Sequence, residues 1–112
     1  MQANELNEKM KHLAELLGRL LPMAKSMGVI YSEEGKDYIA TPEGTGSEYK
    51  DLVHEIEMIA DQYCITADGQ PNFEAHKVLK KFGYPITCGE RDSFGWLTAV
   101  INFPTGERFV FG

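Results

Sequence analysis

The chain has 112 residues, of which 43% are hydrophobic and 25% charged, and its net charge is −6. This length and composition predict a single globular domain over residues 1–112 and exclude a disordered chain. No apolar run approaches the roughly 20 residues that a membrane helix needs, and the negative charge disfavours nucleic-acid partners.

The first residues lack the charged and apolar regions of a signal peptide, and the two cysteines, Cys64 and Cys88, have no second pair beside them. We therefore expect a cytoplasmic protein with free thiols. The three histidines lie on three different predicted helices without a further ligand at metal-binding spacing, so we expect neither a metal nor a cofactor.

The negative charge is concentrated in the middle of the chain. Residues 29–70 carry ten acidic and two basic side chains, whereas the segments before and after this block each have a net charge of +1. A surface of one sign attracts partners of the opposite sign. The sequence therefore predicts a partner with a basic patch.

The first predicted element is a helix over residues 5–27, whose apolar side chains alternate three and four residues apart. Pro22 has no N–H for the helix, which predicts a kink or a break there. The apolar stripe is wider than a coiled-coil seam, so we expect it to pack on a sheet or another helix. The same stripe is also compatible with a homodimer.

Two β-prone runs follow, 29–32 and 37–41, and the Gly-containing loop between them predicts a hairpin. Residues 47–63 have the clearest amphipathic pattern of the chain and predict a second helix. A short third helix is predicted from Pro71 to Gly83, because proline suits the first turn of a helix and glycine suits its end.

The last third of the chain is rich in β-forming residues. Strands are predicted over 85–88, 96–103 and 108–111; the second, apolar on both faces, is expected in the centre of a sheet and the third at its edge. The element order is then αββααβββ. The sequence predicts an α+β fold, an antiparallel sheet of about five strands with the helices packed on one face.

The outer face of the 47–63 helix is the strongest candidate binding surface. It has two like-charge pairs at a spacing of four residues, each of which costs about 0.2–0.5 kcal/mol in an isolated helix. A purely structural helix would gain from lysine at these positions, so we interpret the carboxylates as contacts for a partner. The candidate residues are Glu48, Asp51, His54, Glu55, Glu57, Met58 and Asp61.

Two alternatives remain open. The 88–96 loop could form a small-ligand or enzymatic site, because it combines a thiol, a guanidinium, two carboxylates and an indole in Cys88, Glu90, Arg91, Asp92 and Trp96. A winged-helix DNA-binding protein would use the third helix with Lys77, Lys80, Lys81 and Arg91. The long connection before that helix and the overall acidity disfavour DNA binding.

The preferred interpretation is a small acidic, non-enzymatic protein-binding module of a regulatory, inhibitory or immunity-like kind. Its charged helix would increase the rate and the specificity of association, and its aromatic or methionine side chains would supply most of the affinity.

Overall fold

A computed structural model describes residues 3–91 and 97–111 and confirms an α+β fold with three helices and five strands. In chain order the elements are α1 (Ala3–Met27), β1 (Ile30–Glu33), β2 (Lys36–Ile39), α2 (Ser47–Cys64), α3 (Phe73–Lys81), β3 (Ile86–Arg91), β4 (Leu97–Asn102) and β5 (Arg108–Phe111). None of the helices in this described part has the length and apolar character needed to cross a membrane.

The helix α1 continues through Pro22, so the alternative of a break at this residue is wrong, and the alternative of a kink stays a prediction. Because Pro22 has no N–H, the carbonyl of Gly18 loses its usual helical hydrogen bond. Both residues lie on the exposed side of α1, where water can donate a hydrogen bond to that carbonyl. On the buried side the stripe packs against α2 and α3, which confirms the expected helical partner. A positive φ of 67° at Gly28 then ends the helix.

The first two strands form the predicted hairpin, with a tighter turn than expected. Only Glu34 and Gly35 lie outside the strands, and their φ angles of 53° and 76° are those of a type I′ turn. This turn type matches the twist of antiparallel strands. It places Tyr31 directly opposite Tyr38.

The sheet is mixed, and the prediction of an antiparallel sheet is therefore wrong. Its strand order is β1-β2-β5-β4-β3, in which β2 and β5 run parallel and all other neighbours run antiparallel. At most five residues separate the antiparallel neighbours in the chain, whereas two helices and two strands separate β2 from β5. The last strand β5 is therefore central, and its predicted position at the edge of the sheet is wrong; the edges are β1 and β3.

The helices cover one face of this sheet. Alternate residues of β4 and β5, namely Ala99, Ile101, Phe109 and Phe111, are buried and belong to the single apolar core that the three helices complete. The residues between them point to the opposite face, where Val110 is 45% exposed. The fold thus places α2 beside the hairpin and β5.

Candidate functional site

The seven residues predicted to bind a partner all lie on α2, and most of them are exposed. Five polar members are exposed, Met58 is 57% exposed, and only Glu57 is half-buried. The exposed polar members are Glu48, Asp51, His54, Glu55 and Asp61.

These residues form two rows along α2, because side chains three and four positions apart are neighbours on a helix. One row contains Lys50, His54, Glu57 and Asp61, and its first three members line a cavity beside the segment that follows the hairpin. The other row includes Asp51, Glu55 and Met58. The predicted surface therefore has two flanks with different neighbours.

The second flank meets α1. The Nε2 atom of His12 lies 3.2 Å from the Oε1 atom of Glu55, and both side chains are about half exposed. An exposed pair of this kind contributes little to stability. Within residues 3–91 and 97–111, no carboxylate of α2 forms an ion pair with a lysine or an arginine.

On the first flank, α2 and the segments packed beside it form two adjoining cavities that share Thr41 and Glu57. We call the first the loop cavity: it has a volume of about 240 Å³ and lies between α2 and the segment of Thr41 to Thr45. The second, which we call the tyrosine cavity, has a volume of about 300 Å³, and its walls include Tyr31, Tyr38 and Phe109.

Two tyrosine contacts hold the walls of these cavities. The hydroxyl group of Tyr49 on α2 donates a hydrogen bond of 2.7 Å to the carbonyl oxygen of Ala40, just beyond β2. The rings of Tyr31 and Tyr38 stack across the hairpin with their centroids 5.5 Å apart and their planes inclined by 22°. The cavities are therefore bounded by side chains with fixed neighbours.

The electrostatic environment of Glu57 differs from that of a solvated surface carboxylate. Partial burial raises the pKa of Glu57, the negative charge of Asp61 raises it further, and the positive charge of His54 lowers it. Asp61 is exposed as a residue, but partial burial of its carboxyl group raises its pKa as well. Both shifts mean that the fold disfavours these negative charges, which a cation from outside the molecule would stabilise.

Sequence reasoning missed the aromatic side of this site. The signal was present in the hairpin pattern, since Tyr31 and Tyr38 are equally distant from the turn and such residues face each other in a two-residue hairpin. Phe109 and Glu57 come near the tyrosines because β2 and β5 pair in parallel. No local sequence pattern predicts this pairing.

The alternative site of the 88–96 loop falls largely outside the described part of the chain. Cys88 is exposed near the middle of β3, and that strand continues through Glu90 to Arg91. The side chains of Glu90 and Arg91, and the whole of Asp92 and Trp96, lie outside the described residues. A ligand or enzymatic site there stays a prediction.

The basic residues of the winged-helix alternative lie on and next to the third helix. Lys77, Lys80 and Lys81 are exposed on α3, and DNA binding by this helix stays a prediction. Among the described residues, no three histidine, cysteine, aspartate or glutamate side chains are grouped so as to hold a metal ion.

No protein-family model, no curated protein and no solved structure matches this chain. The functional argument therefore depends on the chemistry of α2 and its two cavities.

Proposed function

We propose that this protein is a small non-enzymatic binding module of a regulatory, inhibitory or immunity-like kind, and that the exposed face of α2 meets a basic surface on a protein partner. The observation that carries the proposal is the absence of lysine or arginine ion pairs to the α2 carboxylates in the described part of the chain. If lysine or arginine side chains of the same molecule neutralised these carboxylates, the acidic face would need no partner to explain it.

The charges on this face make the helix less stable than it could be. Glu57 and Asp61 are four residues apart, the negative charge of Asp61 raises the pKa of Glu57, and no basic residue occupies the last turn of α2. Anions near the carboxyl end of a helix are further disfavoured by its dipole. A lysine at either position would remove this disadvantage, which supports a role for the carboxylates in contacts with another molecule.

The acidic face also has an apolar side chain at its centre. Met58 is 57% exposed and lies in the row of Asp51 and Glu55. A flexible methionine can adapt to an irregular partner surface, and apolar contacts at the centre of an interface usually supply most of its affinity. The surrounding carboxylates would increase the association rate and exclude acidic partners.

The test is a double charge reversal, Glu57→Lys with Asp61→Lys, and its matched control is Glu8→Lys with Glu15→Lys on exposed positions of α1. Both variants change the net charge by the same amount. Tagged wild-type protein is first used to capture a partner from the native cell at low salt, and the affinity of the purified pair is then measured by calorimetry at two salt concentrations.

We expect the α2 variant to bind the partner at least about tenfold more weakly and with a smaller salt dependence, because it loses close charge pairs at the interface. The α1 variant should keep most of the affinity, and urea unfolding should show the α2 variant to be as stable as the wild type or more stable. Equal affinities for wild type and α2 variant would rule out this face as the binding surface.

A further inference from the structure

The tyrosine cavity lies at the weakest pairing of the sheet. The register of β2 and β5 contains one pair, Tyr38 with Arg108, whereas the β4–β5 register contains four. Residues that follow this pair, from Ile39 to Thr41 and from Phe109 to Val110, line the cavity together with Glu57. The cavity is therefore bounded by both strands and by α2.

The lining of this cavity combines a carboxylate with aromatic rings. Tyr31 and Tyr38 supply the rings, Phe109 lines the cavity from the apolar core, where it is 2% exposed, and Glu57 is the one charged residue that lines it among the described residues. Tyr31 is 47% exposed, so an incoming group can reach the tyrosine pair from solvent. Within the same residues, the carboxylate of Glu57 forms no hydrogen bond and no ion pair.

A carboxylate beside aromatic rings favours a positively charged ligand over a negatively charged or an apolar one. An anion would be repelled by Glu57 and by Asp61, which already raises the pKa of Glu57. An apolar side chain would remove water from the Glu57 carboxylate without replacing its hydrogen bonds, which is unfavourable. An organic cation would pair with the carboxylate and would be attracted by the faces of the aromatic rings.

We propose that the tyrosine cavity binds the guanidinium group of an arginine side chain. A guanidinium is planar, forms two parallel hydrogen bonds with a carboxylate, stacks on aromatic rings and is less strongly hydrated than an ammonium group. That this arginine belongs to the protein partner depends on the proposed function; the affinity of the cavity for a guanidinium does not.

The experiment is a titration of the isotope-labelled protein, followed by NMR at neutral pH and low salt, with three small probes. N-acetylargininamide carries the guanidinium, N-acetylcitrullinamide has nearly the same shape without the charge, and N-acetyllysinamide carries an ammonium group. We expect the arginine probe to shift the signals of Tyr31, Tyr38 and Glu57 and to bind at least about tenfold more tightly than the citrulline probe, because its bonds to the carboxylate are charge-assisted.

Two variants that should weaken binding and three controls that should retain it locate the site. Glu57→Gln should weaken binding of the arginine probe about tenfold, whereas Asp51→Asn on the exposed side of α2 should leave it unchanged. Tyr31→Leu should weaken it about threefold, and Tyr31→Phe, which keeps the ring, should retain it. Lys50→Gln should retain it too, since Lys50 lines only the loop cavity.

Equal binding of the arginine and citrulline probes would overturn the proposal, as would equal losses for Glu57→Gln and Asp51→Asn. Equal binding of the lysine probe would overturn the assignment to guanidinium. The outcome is independent of the charge-reversal experiment: if arginine binds but partner affinity is insensitive to reversal on α2, the proposed function fails and the cavity assignment stands. If partner affinity is sensitive and no probe binds, the cavity assignment fails alone.

Discussion

The Nε2 atom of His76 on α3 donates a hydrogen bond of 3.0 Å to the carbonyl oxygen of Cys64, the last residue of α2. The same carbonyl accepts a second hydrogen bond, of 2.9 Å, from the backbone N–H of Asn72. The last carbonyls of a helix have no partner within it. The end of the α2–α3 connection and the first turn of α3 together supply the C-terminal cap of α2, and the stability of the two helices is therefore coupled.

His76 should make the protein less stable in mild acid. Its burial lowers its pKa from the ordinary value of 6.5, and the hydrogen bond to Cys64 only partly offsets this shift. The unfolded chain then binds a proton at higher pH than the folded protein, so stability is complete above about pH 6.5 and decreases as the pH falls.

Urea unfolding of the wild type and of His76→Gln between pH 7.5 and about pH 5 measures this effect. The variant should be less stable at pH 7.5 and should show a flatter dependence on pH. Asn72→Ala, which removes a hydrogen bond at the same helix end without removing a titrating group, is the control and should keep the wild-type slope. Parallel curves for wild type and His76→Gln would contradict the prediction.

Asn72→Ala should destabilise the cap of α2. The side-chain Nδ2 atom of Asn72 donates a hydrogen bond of 2.8 Å to the carbonyl oxygen of Tyr63, and this contact is partly buried. Its loss should lower the free energy of unfolding by about 1 kcal/mol, the usual value for one such bond. Asn7→Ala, at an exposed position of α1, should change it much less in the same urea titration.

Glu57→Gln should stabilise the fold at neutral pH. Because the pKa of Glu57 is raised in the folded state, that state binds its proton more readily than the unfolded chain, and stability increases as the pH falls toward the ordinary value of 4.5. The neutral isostere should therefore add about 0.5 kcal/mol at pH 7, because a neutral amide loses less hydration on partial burial than a carboxylate and because the repulsion from Asp61 disappears. Glu55→Gln, which weakens the contact with His12, should show no such gain by urea unfolding.

Two glycines should respond to alanine in opposite directions. A Cβ atom at Gly89 on β3 would lie 2.9 Å from the backbone oxygen of Thr98 on β4, so Gly89→Ala should destabilise the protein by about 1–3 kcal/mol. At Gly18 in α1 the nearest atom is 3.7 Å away, and Gly18→Ala should stabilise by about 0.5–1 kcal/mol. Thermal unfolding of both variants tests the pair, and a loss of stability in Gly18→Ala would contradict it.

The two free thiols should differ sharply in reactivity. Cys64 is buried, and its burial, with a smaller effect from Asp61, raises its pKa to about 12; Cys88 is exposed. Because the thiolate is the reactive form, a disulfide reagent at pH 8 should modify Cys88 rapidly and Cys64 only after unfolding. Cys88→Ser should remove the rapid phase, and a rapid phase that persists in this variant would show that Cys64 is accessible.

The helices, the first hairpin and the strand content could be predicted because each depends on local patterns. The apolar spacing of α2 identified its buried side, and the exposed positions of Glu48, Asp51 and Asp61 follow from the same spacing. Element boundaries differ where tertiary contacts extend a strand, as at β3, which continues to Arg91. The pairing of Tyr31 with Tyr38 is also predictable, because both residues are equally distant from the turn of the hairpin.

Only the tertiary structure decided the parallel pairing of β2 with β5 and the site that it forms. Tyr38 and Arg108 are far apart in the chain, no turn connects their strands, and the packing of α2 and α3 determines how the last hairpin meets the first. The approach of Phe109 to Tyr31 and Glu57 follows from that packing. Local periodicity determines which face of an element is buried, but the partner it is buried against depends on the whole chain.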